Sequence, residues 1–97
     1  MHRQSDSWLV KGIESNQCNK PQAAIPCYKQ ALKLNHENFL AMYNLAANYE
    51  RQKKYTAALK WLKLAAEVKP DFDLALRARA LNLFKLGSYR EAIKVTR

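Results

Sequence analysis

At 97 residues, with 48% hydrophobic content and only two Gly and three Pro, the chain has room for one compact domain. Its composition is not collagen-like, low-complexity or disordered. Seventeen Lys and Arg against eight Asp and Glu give a net charge of +9, which favours acidic partners or anionic surfaces without naming one.

No apolar run approaches the roughly 18 residues of a membrane span. The polar opening, residues 1–6, is unlike a signal peptide, so an intracellular and by default cytoplasmic location is expected. In chain order, the apolar spacing predicts a less regular helix over 7–17, a second over 22–34, and clearer ones over 39–51 and 55–68. In the third, Met42, Leu45, Ala46 and Tyr49 share one face. In the fourth, Ala58, Leu59, Leu62, Ala65 and Ala66 do so, and Lys69-Pro70-Asp71 stops it. A fifth is predicted over 72–86. Gly87 then takes a left-handed turn, and Ser88 with Glu91 forms a capping box for a further helix.

The chain also matches itself at an offset of 34 residues. Ala24, Ala58 and Ala92 fall in register, as do the small residues Gly12, Ala46 and Ala80 and the large residues Trp8, Met42 and Leu76. Tyr55 and Tyr89 share a column, and so do Ala31 and Ala65. One amphipathic helix pair cannot bury its apolar face alone, so the pairs must stack into a solenoid. The small columns are then expected where the first helix of a pair meets the second: Gly12, Ala46 or Ala80 against Ala24, Ala58 or Ala92.

A 34-residue helix pair with these columns resembles the tetratricopeptide repeat. The second unit carries the pattern as Met42, Leu45-Ala46, Tyr49, Tyr55, Ala58, Leu62, Ala65 and Pro70. The first carries Trp8, Gly12, Ala24, Tyr28 and Ala31, and the third Leu76, Ala80, Tyr89 and Ala92. The resemblance implies an all-α, right-handed superhelix of antiparallel helix pairs forming a single domain over 1–97. Its repeats would cover about 5–38, 39–72 and, incompletely, 73–97. Lys11 and Arg79 depart from the pattern where Leu is usual, and His36 where the closing Pro is usual; His2 lies one period before His36. Pro26 should bend the second helix or delay its start. The third unit has no polar terminal helix to cover it, as expected of a segment of a longer array or of a self-associating piece.

The same resemblance implies a concave groove on the first helices that holds a peptide or helix of a partner protein. By register it would be lined by Leu9, Ile13, Leu40, Tyr43, Asn44, Ala47, Leu74, Arg77 and Leu81. In one subgroup of the family, two Lys, two Asn and one Arg clamp the acidic C-terminal tail of cytosolic chaperones. Those places fall here on Leu9, Ile13, Asn44, Leu74 and Ala78, and only Asn44 agrees. An apolar or amphipathic segment with an acidic group for Arg77 fits better. Tyr43 and Arg77 are the anchors to expect, unless Tyr43 serves helix packing and Arg77 is only a solvated charge. Trp61, on a second helix, is read as core.

Lys29, Lys33, Lys60, Lys63, Lys94 and Arg97 would form a cationic strip on the convex face. It is either a solvated surface or a site for RNA or an anionic surface, with no ordered set of base-reading side chains beside it. His2 and His36 build no catalytic grouping with a Ser, Cys or Asp, and no Gly-rich phosphate loop follows a strand, so a non-enzyme without cofactor or metal is expected. Cys18 and Cys27, nine positions apart, lack zinc-site spacing and are read as free thiols.

Overall fold

A computed structural model describes residues 3–88 together with Arg90, Glu91 and Lys94. Five α-helices follow one another: α1 Arg3–Gln17, α2 Pro21–Leu34, α3 Phe39–Arg51, α4 Tyr55–Val68 and α5 Asp73–Lys85. Arg90, Glu91 and Lys94 are also helical, and among the described residues there is no strand. α1 packs on α2 and α3 on α4, while α2 meets α3 and α4 meets α5, so antiparallel pairs stack in chain order as a solenoid. His2, Tyr89, Ala92 and Arg97, which the sequence places in its columns and strip, lie outside the described residues.

The core forms along the repeating columns. Gly12, Ala46, Ala80, Ala24, Ala58, Ala31 and Ala65 are all buried. The partner of Gly12 differs from the expectation, however. A β-carbon added at Gly12 would land inside the ring of Tyr28, so the space opened by this glycine is filled by an aromatic from α2 rather than by Ala24. Tyr28 is fully buried, and its hydroxyl accepts a 2.8 Å hydrogen bond from Asn16 Nδ2 near the end of α1. Trp8, Trp61 and Leu64 pack half-buried against the same core, which bears out the core reading of Trp61.

The helix limits show what apolar spacing misses. α3 and α4 have the predicted bounds, but α1 is already helical at Arg3, the first described residue, a full turn before the predicted start. Ser5 explains this early turn: it is buried and donates to the Ala31 carbonyl at 2.7 Å, so a polar side chain seats the first turn of α1 on the last turn of α2. Asn38 completes the knot. Its Nδ2 donates to Ser5 Oγ at 2.9 Å and its Oδ1 accepts the Ala41 amide at 3.1 Å, capping α3. α2 begins at Pro21, where the missing amide costs nothing, and runs on through Pro26. The start is thus earlier, not later, than expected; the lost donor falls to the carbonyl of exposed Gln22.

One repeat along, the same junction is apolar. Phe72 is the N-cap of α5 without a side-chain hydrogen bond, so α5 starts one residue later than predicted. Its ring meets Phe39 edge-on at 5.2 Å and Tyr43 at 5.4 Å. The turns within the pairs also repeat: Asn19, Lys53 and Gly87 all have positive φ, at 59°, 62° and 83°. Gly87 takes the left-handed turn as predicted, and Lys53 adopts it despite its side chain. Cys18 is exposed, Cys27 half-buried, and neither is in a disulfide.

Two measurements check this packing. Gly12→Ala and Ala58→Leu each overfill a buried contact, and each should cost about 1–3 kcal/mol in denaturant unfolding; unchanged midpoints would refute the close approach. Burial raises the Tyr28 pKa above its usual value, outweighing the Asn16 hydrogen bond and the nearby Arg51, which pull it down; Cys27 adds to the rise. A raised phenol favours the fold while it is protonated, so the stabilisation is complete below the usual tyrosine range and is lost as pH climbs through the folded value. An ultraviolet titration should therefore show one late-ionising tyrosine that disappears in Tyr28→Phe.

Candidate groove on the first helices

On α3, Leu40, Tyr43, Ala47 and Arg51 recur at helical spacing along one face; on α5, Leu74, Arg77, Leu81 and Lys85 do the same. α1 offers Asp6, Leu9, Ile13 and Gln17 in the same places. Of the residues read as groove lining, Leu40, Leu74 and Leu81 are 43, 52 and 48% exposed, and Arg77 is exposed as well. Ile13, Tyr43, Asn44 and Ala47 are half-buried.

Leu9 is a correction. It is only 6% exposed and belongs to the core, because the turn of α1 that carries it is drawn in by Ser5 and Trp8 against α2 and α3. Tyr43 is partly committed too, its ring leaning on Phe72 at 5.4 Å. The Asn44 amide donates to the Leu40 carbonyl of its own helix at 2.7 Å.

The sequence reading missed Val10, which is 50% exposed and lies one repeat before Asn44. That offset was the available signal. It also missed Asn82, fully buried, whose Nδ2 donates to the Ala78 carbonyl at 2.7 Å and to Glu50 Oε1 at 3.3 Å, tying α5 to α3. Beneath the groove, Tyr43, Ala46, Ala47, Glu50, Leu62, Ala78 and Asn82 enclose only about 20 Å³, room for a single water. The groove is thus an open surface suited to a chain segment rather than a deep pocket for a small molecule.

Lys29 and Lys33 on α2, Lys60 and Lys63 on α4, and Lys94 are all exposed. Trp61 beside them packs half-buried against the core. Among the described residues no group of three or more His, Cys, Asp or Glu is placed to hold a metal, and no helix is long and apolar enough to cross a membrane.

Comparison with known proteins agrees with this geometry. The chain is 33% identical over 72 residues to the Protein STIP1 homolog of Dictyostelium discoideum, covering 74% of this chain but only 13% of that protein. The solved second TPR of Spaghetti (RPAP3) bound to HSP90 peptide SRMEEVD superposes with a TM-score of 0.93 at 25% identity, over 98% of this chain and 88% of that one. Its first TPR, bound to the same peptide, gives 0.90 at 26% identity, over 96% and 76%. A crystal structure of MamA shares the fold, with a TM-score of 0.92 at 23% identity over 98% of this chain and 56% of that one. The family model described as tetratricopeptide repeat matches residues 19–73, more than half of the sequence. With its stacked helix pairs and recurring small columns, the chain belongs to the tetratricopeptide repeat family.

Proposed function

We propose that this chain is a protein-interaction module, not an enzyme, that holds a segment of a partner polypeptide across the outward faces of α1, α3 and α5. One observation carries the reading. Of the seven large apolar residues exposed among the described residues, Val10, Leu40, Leu74 and Leu81 fall in the groove columns. Apolar side chains gathered on one face of an otherwise charged molecule mark a surface meant to be covered. The similar structures bound to HSP90 peptide SRMEEVD support a peptide as the ligand class.

The chemistry of the occupant differs from that of an acidic chaperone tail. Leu9, Ile13, Leu74 and Ala78 stand where a carboxylate clamp needs cations and amides, and the Asn44 amide is already engaged by Leu40. The segment that fits brings apolar side chains to Leu40, Leu74 and Leu81 and an acidic group to Arg77. Binding of RNA or an anionic surface by the exposed convex lysines is the second reading. Covering of the groove by another part of a longer parent protein, or by another copy of the chain, would also bury these leucines.

A displayed random-peptide library panned on the chain tests the groove. Enriched peptides should be rich in Leu, Ile and Phe and lose about tenfold or more in affinity to Leu40→Asp with Leu74→Asp. Both sites are exposed, so the melting temperature should hold. Binding that survives this pair but is lost on Lys29→Glu with Lys63→Glu would move the site to the convex face.

A further inference from the structure

The positive charge of this chain is unevenly placed. Lys20, Arg51, Lys53, Lys54, Lys85 and Arg90, all exposed, lie in or beside the turns within the helix pairs, along one edge of the solenoid. Few acids answer them. Glu14 in the last turn of α1 and Glu91 are exposed at that edge, and Glu50 is half-buried and accepts from Asn82. The opposite edge, where one pair passes to the next, carries Arg3 and Lys69 against Asp6, Glu37, Asp71 and Asp73, with Lys69 bridged to Asp71 at 3.4 Å.

This asymmetry runs into the groove. Descending α3 the outward face reads Leu40, Tyr43, Ala47, Arg51, and descending α5 it reads Leu74, Arg77, Leu81, Lys85. α3 and α5 therefore end in a cation at one edge, Arg51 and Lys85, whereas the same places on α1 run from Asp6 to Gln17. The axial rise from Leu40 to Arg51 is about 16 Å and from Ala47 to Arg51 about 6 Å. A helix about 10–12 Å across matches the axial rise of about 10 Å from Leu40 to Ala47 and from Leu74 to Leu81, and would bring its flank to Arg51 and Lys85. Lys85 is held at that flank, its Nζ 5.4 Å from the centre of the Tyr55 ring at the start of α4.

We propose that the groove takes an amphipathic helix of a partner protein, apolar on its buried face and acidic along the one flank that meets the rim of Arg51 and Lys85. The proposal rests on the groove reading above and adds the form and polarity of the ligand. Rim charges of this kind set orientation and association rate and are sensitive to salt.

The probes are three synthetic helices with the same leucine face and Glu, Gln or Lys along one flank, plus oligouridine RNA, followed by fluorescence anisotropy on the full chain. At low salt the Glu helix should bind about tenfold tighter than the Lys helix, with the gap closing at high salt. Arg51→Glu with Lys85→Glu should abolish the preference, and Lys29→Glu with Lys63→Glu should preserve it. Equal affinity of all three helices, or equal loss from the convex reversals, overturns the inference and leaves the groove reading standing. Failure of every helix to bind overturns the inference, while the groove reading stands or falls on the peptide library above. RNA binding tighter than the Glu helix, and lost in the rim reversals, would assign the edge to a nucleic-acid backbone and also overturn the inference.

Discussion

The close approach of paired helices, allowed by small residues recurring once per repeat, is the constraint on which the rest of the molecule depends. Ala24 and Ala58 on the second helices are fully buried, and Gly12 and Ala46 on the first have almost no surface left. At Gly12 a single β-carbon would collide with Tyr28, so the approach is set by the absence of side chain on one helix and a filling ring on the other. α3 and α5 spend their inner faces on this contact, and on their outward faces Leu40, Leu74 and Leu81 stand exposed. Packing and the proposed binding surface are then two sides of the same helices.

Much of this architecture is legible in the sequence. The 34-residue columns and the bounds of α3 and α4 could be read because size and apolarity recur there with helical spacing and Pro70 marks the stop. That Leu40, Leu74 and Leu81 share one outward face could be read for the same reason, and they are exposed. The illegible parts involve contacts between elements far apart in the chain. Ser5 reads as a polar surface residue until the Ala31 carbonyl and Asn38 amide are brought to it, which accounts for α1 being helical already at Arg3. Leu9 has the register of a groove residue, but its burial depends on how α1 is drawn toward α2 and α3. Phe72 looks like the start of a helix and turns out to be a cap whose ring clusters with Phe39 and Tyr43.

The two inter-repeat junctions show how one geometry is held by different chemistry. Between α2 and α3 a buried Ser5–Asn38 pair supplies hydrogen bonds to the helix ends. Between α4 and α5 the equivalent places hold Phe39 and Phe72 edge-to-face. The second solution brings aromatics beside the outward face and partly commits Tyr43, so in the proposed groove the anchoring would fall more heavily on the exposed leucines and Arg77. The two solved TPRs of Spaghetti are bound to HSP90 peptide SRMEEVD, whereas here Leu9, Ile13, Leu74 and Ala78 are apolar and Arg51 and Lys85 lie at the ends of α3 and α5. A conserved-looking frame thus presents a different surface chemistry.

The most direct test of the central claim is amide chemical-shift mapping of the isotopically labelled chain during titration with the leucine-faced, glutamate-flanked helix. Perturbations should gather on the outward faces of α3 and α5, around residues 40–51 and 74–85, and spare Lys29, Lys33, Lys60 and Lys63. Shifts concentrated on α2 and α4, with α3 and α5 silent, would contradict the assignment of the first-helix face as the binding surface.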